Sequence, residues 1–262
     1  AAVVLMFVVA RIPPQRLMQF AWPLYLVGLV LLVLVMLFGV KVNGAKRWLS
    51  LGFTRIQPSE IMKIAMPLAM AWYFHHFENR RWFSKYFGAL LILLIPSALI
   101  AKQPDLGTAI LVFSAGFYVI FLAGLSWWVI GGLTGAAVAV APFAWNFLHD
   151  YQQKRILTLI DPTTDPLGSG YHIIQSTIAI GSGGVIGKGY MSGTQAQLEF
   201  IPEKHTDFIF AVFAEEWGMI GNIILVVLYG FLIERGLRIS LRASTTFNRL
   251  LAGAITMGFF TY

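Results

Sequence analysis

The stretch LEFIPEKHTDFIFAVFAEEWGMIGNIILVVLYGFLI, residues 198–233, decides the fold. From Phe208 to Ile233 it is apolar over more than the roughly 20 residues that cross a bilayer as a helix. A carboxylate, Asp207, stands at the entrance, with Glu199, Glu203, Lys204 and His205 just upstream. Charge is costly in hydrocarbon, so ionisable groups gathered at a helix mouth point to a site. Glu215 and Glu216 lie about two turns inside. At least one of them is expected to face protein or water rather than lipid.

The rest of the chain has the same character. Hydrophobic residues make up 58% of it and charged residues 12%, with a mean hydropathy of +0.73. Soluble domains carry about 25% charged residues, so a soluble fold is excluded. The apolar runs are continuous rather than alternating, which excludes a membrane β-barrel. They fall at 1–10, 18–40, 61–77, 87–101, 108–124, 127–148, 208–233 and 250–262. The reading is an all-α, polytopic transmembrane helix bundle, one integral membrane domain over 1–262. Two runs, 61–77 and 87–101, are short and contain Pro67 and Pro96. Membrane helices tolerate Pro because neighbours satisfy the freed carbonyls. No cleavable signal pattern is evident, and the chain begins and ends inside apolar stretches, so a longer parent chain is expected. With no cysteine, thiolate metal sites and disulfides are unavailable. The net charge of +7 belongs to membrane topology and anionic lipid, so nucleic acid is not an expected partner.

Lys and Arg divide evenly between the two sets of connections. The compact Arg clusters in RIPPQR, HHFENRRWFSKY and ERGLRISLR place that set in the cytoplasm. KVNGAKRWLSLGFTRIQPSE, AKQPDLGT and the long segment 149–207 then lie outside. Residues 149–207 are too many for a simple connector. DPTTDPLGSG is turn chemistry, YHIIQSTIAI a helix too short to span, and GSGGVIGKGYMSG a mobile glycine-rich loop. Together they form a structured extracytoplasmic cap.

That glycine loop is not a nucleotide site. A phosphate loop needs Gly where Ser182 stands and Ser or Thr where Gly189 stands, and the dinucleotide spacing fails at Ile186. Stronger signals lie at the outer helix starts. In QPSEIMK, Pro58 opens a helix and Glu60 and Lys63, three apart, share a face. They form either a structural pair or part of a site. In KQPDLGT, Pro104 starts a helix and Asp105 complements its dipole. Lys46, Arg47 and Arg55 frame RWLSLGF, either as interfacial anchors or as a grip on phosphate.

The run GTQAQLEFIPEKHTDFIFAVFAEEWG closely resembles the SEDS family of bacterial cell-wall proteins (shape, elongation, division and sporulation). The resemblance continues in GAKRWLSLGFTRIQPSEIMKIA, AKQPDLGTAI and DPTTDPLGSGYHIIQSTIAIGSGGVIGKGY, in the family's order. GTQAQLEF is similar to the elongation branch rather than the division branch. The resemblance implies a SEDS-type bundle, ten helices in the full family, of which this chain is the middle.

It also implies a peptidoglycan glycosyltransferase that polymerises lipid II on the outer face of the bacterial inner membrane. Asp207 matches the family's essential aspartate, and Arg47, Glu60, Lys63, Asp105 and Glu199 match residues that members rely on. The implied partners are lipid II, the lipid-linked glycan strand, membrane lipid and a class B penicillin-binding protein; the implied cofactor is a divalent cation. Chemically, Asp207 would be the general base on the acceptor sugar hydroxyl, with His205 beside it and undecaprenyl pyrophosphate leaving. With no cysteine, Mg²⁺ or Mn²⁺ bound by oxygen donors is expected, and Glu199 is the preferred ligand. A lipid II flippase and a non-catalytic scaffold for the penicillin-binding protein are the rival readings.

Overall fold

The computed structural model describes residues 2–42, 45–50, 52, 54–146, 150–166, 168–197 and 207–261. Helices α1 (Ala2–Ala10) and α2 (Pro14–Phe38) lead into strands β1 (Val40–Val42), β2 (Ala45–Ser50) and β3 (Arg55–Ile56). Helices α3 (Pro58–His76), α4 (Trp82–Lys102), α5 (Leu106–Leu122) and α6 (Trp127–Trp145) follow. Then come α7 (Asp150–Ile160), a 3₁₀ turn at Pro162–Thr164, α8 (Ser169–Ser182) and α9 (Thr194–Gln197). The chain closes with α10 (Ile209–Arg242) and α11 (Thr246–Thr261).

Local chemistry sets these boundaries. Pro14 and Pro58 sit in first turns, where a missing N–H breaks no hydrogen bond. Helix α5 starts one step later than expected: Asp105 caps it, accepting the Thr108 N–H at 3.3 Å, and Pro104 lies outside. The two short apolar runs become helices of 19 and 21 residues, because polar residues at their ends complete the last turns. Helix α10 runs to Arg242, beyond the expected end at Ile233, so ERGLRISLR is helix rather than connection. By length and composition α2, α4 and α10 suffice to cross a membrane, and α5 and Trp127–Phe143 are shorter apolar helices. The protein is an integral, polytopic and mostly helical membrane protein.

The one departure from an all-helical architecture among the described residues is a small antiparallel sheet, ordered β1-β2-β3. Val40 pairs with Trp48 and Val42 with Ala45, around a bulge at Val40/Lys41, while Leu49 pairs with Ile56.

Two compact units are present, Ala1–Trp127 with Ile233–Tyr262, and Trp128–Leu232. In the first, α3 packs against α2, α4, α5 and α11. Its Met62, Met66, Met70 and Phe74 are almost completely buried. Small residues let the helices close up. A Cβ on Gly28 would stand 2.5 Å from Met62 Sδ, and one on Gly116 would stand 2.6 Å from Leu93 Cδ1. In the second unit, α7, the 3₁₀ turn and α8 pack together. Lys154 Nζ lies 3.5 Å from Asp165 Oδ2. The Thr163 hydroxyl and then its backbone N–H both donate to Asp161, holding that carboxyl below its ordinary range.

Candidate active site

The sheet and two helix starts bring Arg47, Gln57 and Asp105 together. Arg47, on β2, donates through Nη2 to the Pro104 carbonyl at 2.6 Å, and its Nη1 lies 3.9 Å from Asp105 Oδ1. Gln57, the residue before α3, donates through Nε2 to Asp105 Oδ2 and to Ser59 Oγ, each at 3.0 Å. Asp105 is buried and satisfied on both oxygens. Its role in this network is to lock the starts of α3 and α5 together. Arg47 spends two nitrogens on that lock, while its buried Nε has no partner among the described residues. Sequence alone does not single out Gln57, although its place before Pro58 marks it as the residue entering the helix.

Lys63 Nζ and Glu60 Oε2 meet at 2.8 Å, with 20% and 53% of their side chains exposed. The pair therefore forms, but it is not the fully enclosed pair that neutralisation inside a bundle requires. It lies on the wall of a cavity of about 520 Å³, otherwise lined mainly by apolar side chains such as Ile64, Leu111 and Ile255.

In the second unit, Asp207 sits in the turn entering α10 and is exposed, with no hydrogen bond or ion pair among the described residues. Beside it Phe208 packs on buried Ala179 and Ala211, and its ring lies 6.1 Å from that of His172. The short helix α8 thus steadies the mouth of α10. Glu199, Glu203, Lys204 and His205 lie outside the described residues. Among the described residues no group of three or more His, Asp or Glu is placed to hold a metal ion.

Glu215 is where the structure adds most. It is completely buried, and its Oε1 lies 2.7 Å from Lys188 Nζ. The Thr194 hydroxyl and Gln195 N–H each donate to the same oxygen at 3.1 Å, and the Ser182 hydroxyl at 3.5 Å. So the glycine-rich segment is not the mobile loop expected. It is fastened to α10, and the fastening exploits a break in that helix at Gly218 (φ 63, ψ −160). The broken helix leaves carbonyls and N–H groups unpaired, and the loop supplies partners. Lys188 N–H donates to the Glu215 carbonyl and Gly189 N–H to that of Glu216, both at 3.0 Å. In return Met219 N–H donates to the Gly184 carbonyl at 2.9 Å and Ile220 N–H to that of Val185 at 3.1 Å. Only glycine fits at two of these places. A Cβ on Gly218 would stand 2.3 Å from Gly187 N, and one on Gly187 (φ 83) would stand 2.1 Å from the Glu216 carbonyl oxygen.

The chain is similar to proteins of known kind along its whole length. The profile of the FtsW/RodA/SpoVE family, described as cell cycle protein, matches residues 1–262. Peptidoglycan glycosyltransferase MrdB of Escherichia coli K12 is 52% identical over 260 residues, 99% of this chain and 70% of that protein. Probable peptidoglycan glycosyltransferase FtsW of Trichlorobacter lovleyi is 39% identical over 261 residues, 96% of this chain and 67% of that protein. Among solved structures, one describing the coordination of polymerization and crosslinking by a peptidoglycan synthase complex has a TM-score of 0.78 at 37% identity, covering 99% of this chain and 72% of that one. The crystal structure of Thermus thermophilus rod shape determining protein RodA has a TM-score of 0.65 at 29% identity, covering 99% and 68%.

Proposed function

The chain belongs to the FtsW/RodA/SpoVE family, and from that premise we propose that it polymerises lipid II into glycan strands during cell elongation, with Asp207 as general base. It is a peptidoglycan glycosyltransferase, like the 52% identical MrdB. The observation that carries the mechanism is an exposed Asp207 without a partner among the described residues, at the mouth of a helix whose first turns are clamped by the Lys188–Glu215 contact. A base must be free to accept a proton yet held within hydrogen-bond reach of it. Asp207 takes the proton from the acceptor sugar 4-hydroxyl as that oxygen attacks the donor's anomeric carbon. The donor's bond to undecaprenyl pyrophosphate breaks with its electron pair on the leaving phosphate. The negative charge developing on that phosphate calls for a cationic partner, an Arg or Lys side chain or a metal ion.

Asp207 cannot serve as both free base and metal ligand, so a Mg²⁺ or Mn²⁺ ion would be held by Glu199, which lies outside the described residues, together with the substrate's pyrophosphate oxygens. When bound, such an ion would neutralise charge on the leaving group. The site is proposed to face the periplasm from the inner membrane, beside a class B penicillin-binding protein that crosslinks the strand. The similarity to a peptidoglycan synthase complex supports that pairing.

One observation favours a second reading, a lipid II flippase: broken helices with buried ionisable groups recur in transporters, and α10 has both at Gly218 and Glu215. Purified protein with labelled lipid II in detergent separates the two readings, because detergent has no sides. Glycan polymer should accumulate. Unchanged lipid II, with transport seen only in sealed vesicles, would move the assignment to the flippase.

A further inference from the structure

The C-terminal turns of α10 carry a second, unrelated feature. Arg235, Arg238 and Arg242 follow one another at helical spacing and line one cavity of about 620 Å³, within the usual range for ligand pockets. The cavity lies among α10, the start of α11 and the first turns of α2, all in the first compact unit. Helices α10 and α11, which carry most of its lining, are held together by close contacts. The Ser240 hydroxyl donates to the Arg249 carbonyl at 2.6 Å, and a Cβ on Gly236 would stand 2.3 Å from Thr256 Oγ1.

The charge in this cavity is only partly neutralised. Arg238 pairs with Glu234 one turn earlier, whereas Arg235 and Arg242 are exposed and form no ion pair among the described residues. Ser244 and Asn248 add neutral donors at the same place. Two unpaired guanidinium forks beside small polar donors suit a phosphate. The lining also has an apolar part, which includes Leu17, Leu251 and Ile255. Ile239 and Ile255 in that lining and the neighbouring Leu241 stay 55%, 58% and 80% exposed. A free phosphate has no use for apolar lining. A molecule with a phosphate head and acyl chains uses both.

We propose that this cavity binds the headgroup of an anionic glycerophospholipid, with Arg235 and Arg242 on the phosphate and the acyl chains along Leu17 and Ile255. The site is independent of the polymerisation chemistry, since none of these residues belongs to that machinery.

The test uses the whole chain in nanodiscs of phosphatidylcholine with one tenth phosphatidylglycerol. Co-purified lipid is counted by mass spectrometry after exchange into detergent. Wild type should retain phosphatidylglycerol over phosphatidylcholine. Arg235→Gln with Arg242→Gln should lower that retention on the order of tenfold, the scale expected for losing two basic groups at an anionic membrane surface. Arg80→Gln with Arg81→Gln, a basic pair elsewhere, should leave it unchanged. A photoactivatable phosphatidylglycerol should label residues 235–255 of the wild type, which keeps the test decisive if the arginine variant does not fold. No lipid preference, equal loss in both variants, or labelling elsewhere would overturn the proposal. So would full displacement by millimolar inorganic phosphate, which would make the cavity a free-phosphate site.

Discussion

Lys188 and Glu215 make the strongest case at the scale of single residues. Glu215 is fully buried, and its charge is tolerable only because four donors converge on one oxygen. Removing Lys188 leaves that charge uncompensated. Lys188→Ala should therefore lower stability by about 3–5 kcal/mol, while Lys188→Met with Glu215→Leu should cost less than the single change. Thermal unfolding in detergent measures both, and a double variant worse than the single would contradict the clamp. Glu60 and Lys63 should behave differently. With 53% of the Glu60 side chain exposed, their coupling in a double-mutant cycle should stay below about 1 kcal/mol. A larger coupling would mean that the pair is enclosed by something beyond the described residues. Asp207, Asp105, Glu60 and Lys63 could all be picked out in the sequence because each breaks an apolar pattern at a helix start. Lys188 could not, since it sits in a glycine run 27 residues from its partner and looks like a solvated loop cation.

At the scale of elements, the break in α10 organises the second unit. Gly218 holds a left-handed conformation while loop backbone presses against the position a side chain would take. Gly218→Val meets both penalties, so it should destabilise the fold by about 1–3 kcal/mol or more and loosen the entry that carries Asp207. Faster hydrogen exchange at residues 184–189 and 209–217, together with reduced polymerisation, is the expected result. Unchanged exchange would show that the loop does not depend on the break. The membrane helices themselves were legible, because continuous apolar runs with proline near their starts have few alternatives. The break was not. A glycine inside an apolar run looks like any other small residue in a membrane helix, and the carbonyls it frees are paired by residues distant in sequence. The small sheet was equally hidden by its short strands, although Asn43-Gly44 between Val42 and Ala45 is hairpin chemistry.

As a whole, the protein is a membrane enzyme built from two kinds of part. One is a methionine-rich helical core around α3, whose polar network at the starts of α3 and α5 fixes Arg47 and Asp105. The other is a clamped helix entry that presents Asp207. A cation completed by substrate should make activity chelator-sensitive. EDTA should stop polymerisation, and Mg²⁺ or Mn²⁺ should restore it; full activity after exhaustive chelation would remove the cation from the mechanism. The central claim, that Asp207 is the base, is tested most directly by the initial rate of lipid II polymerisation in detergent for wild type and Asp207→Asn at equal folded concentration. The amide keeps the shape but cannot accept the proton, so the rate should fall at least about a hundredfold, the lower end for losing a general base. A rate within a few-fold of wild type would contradict the account.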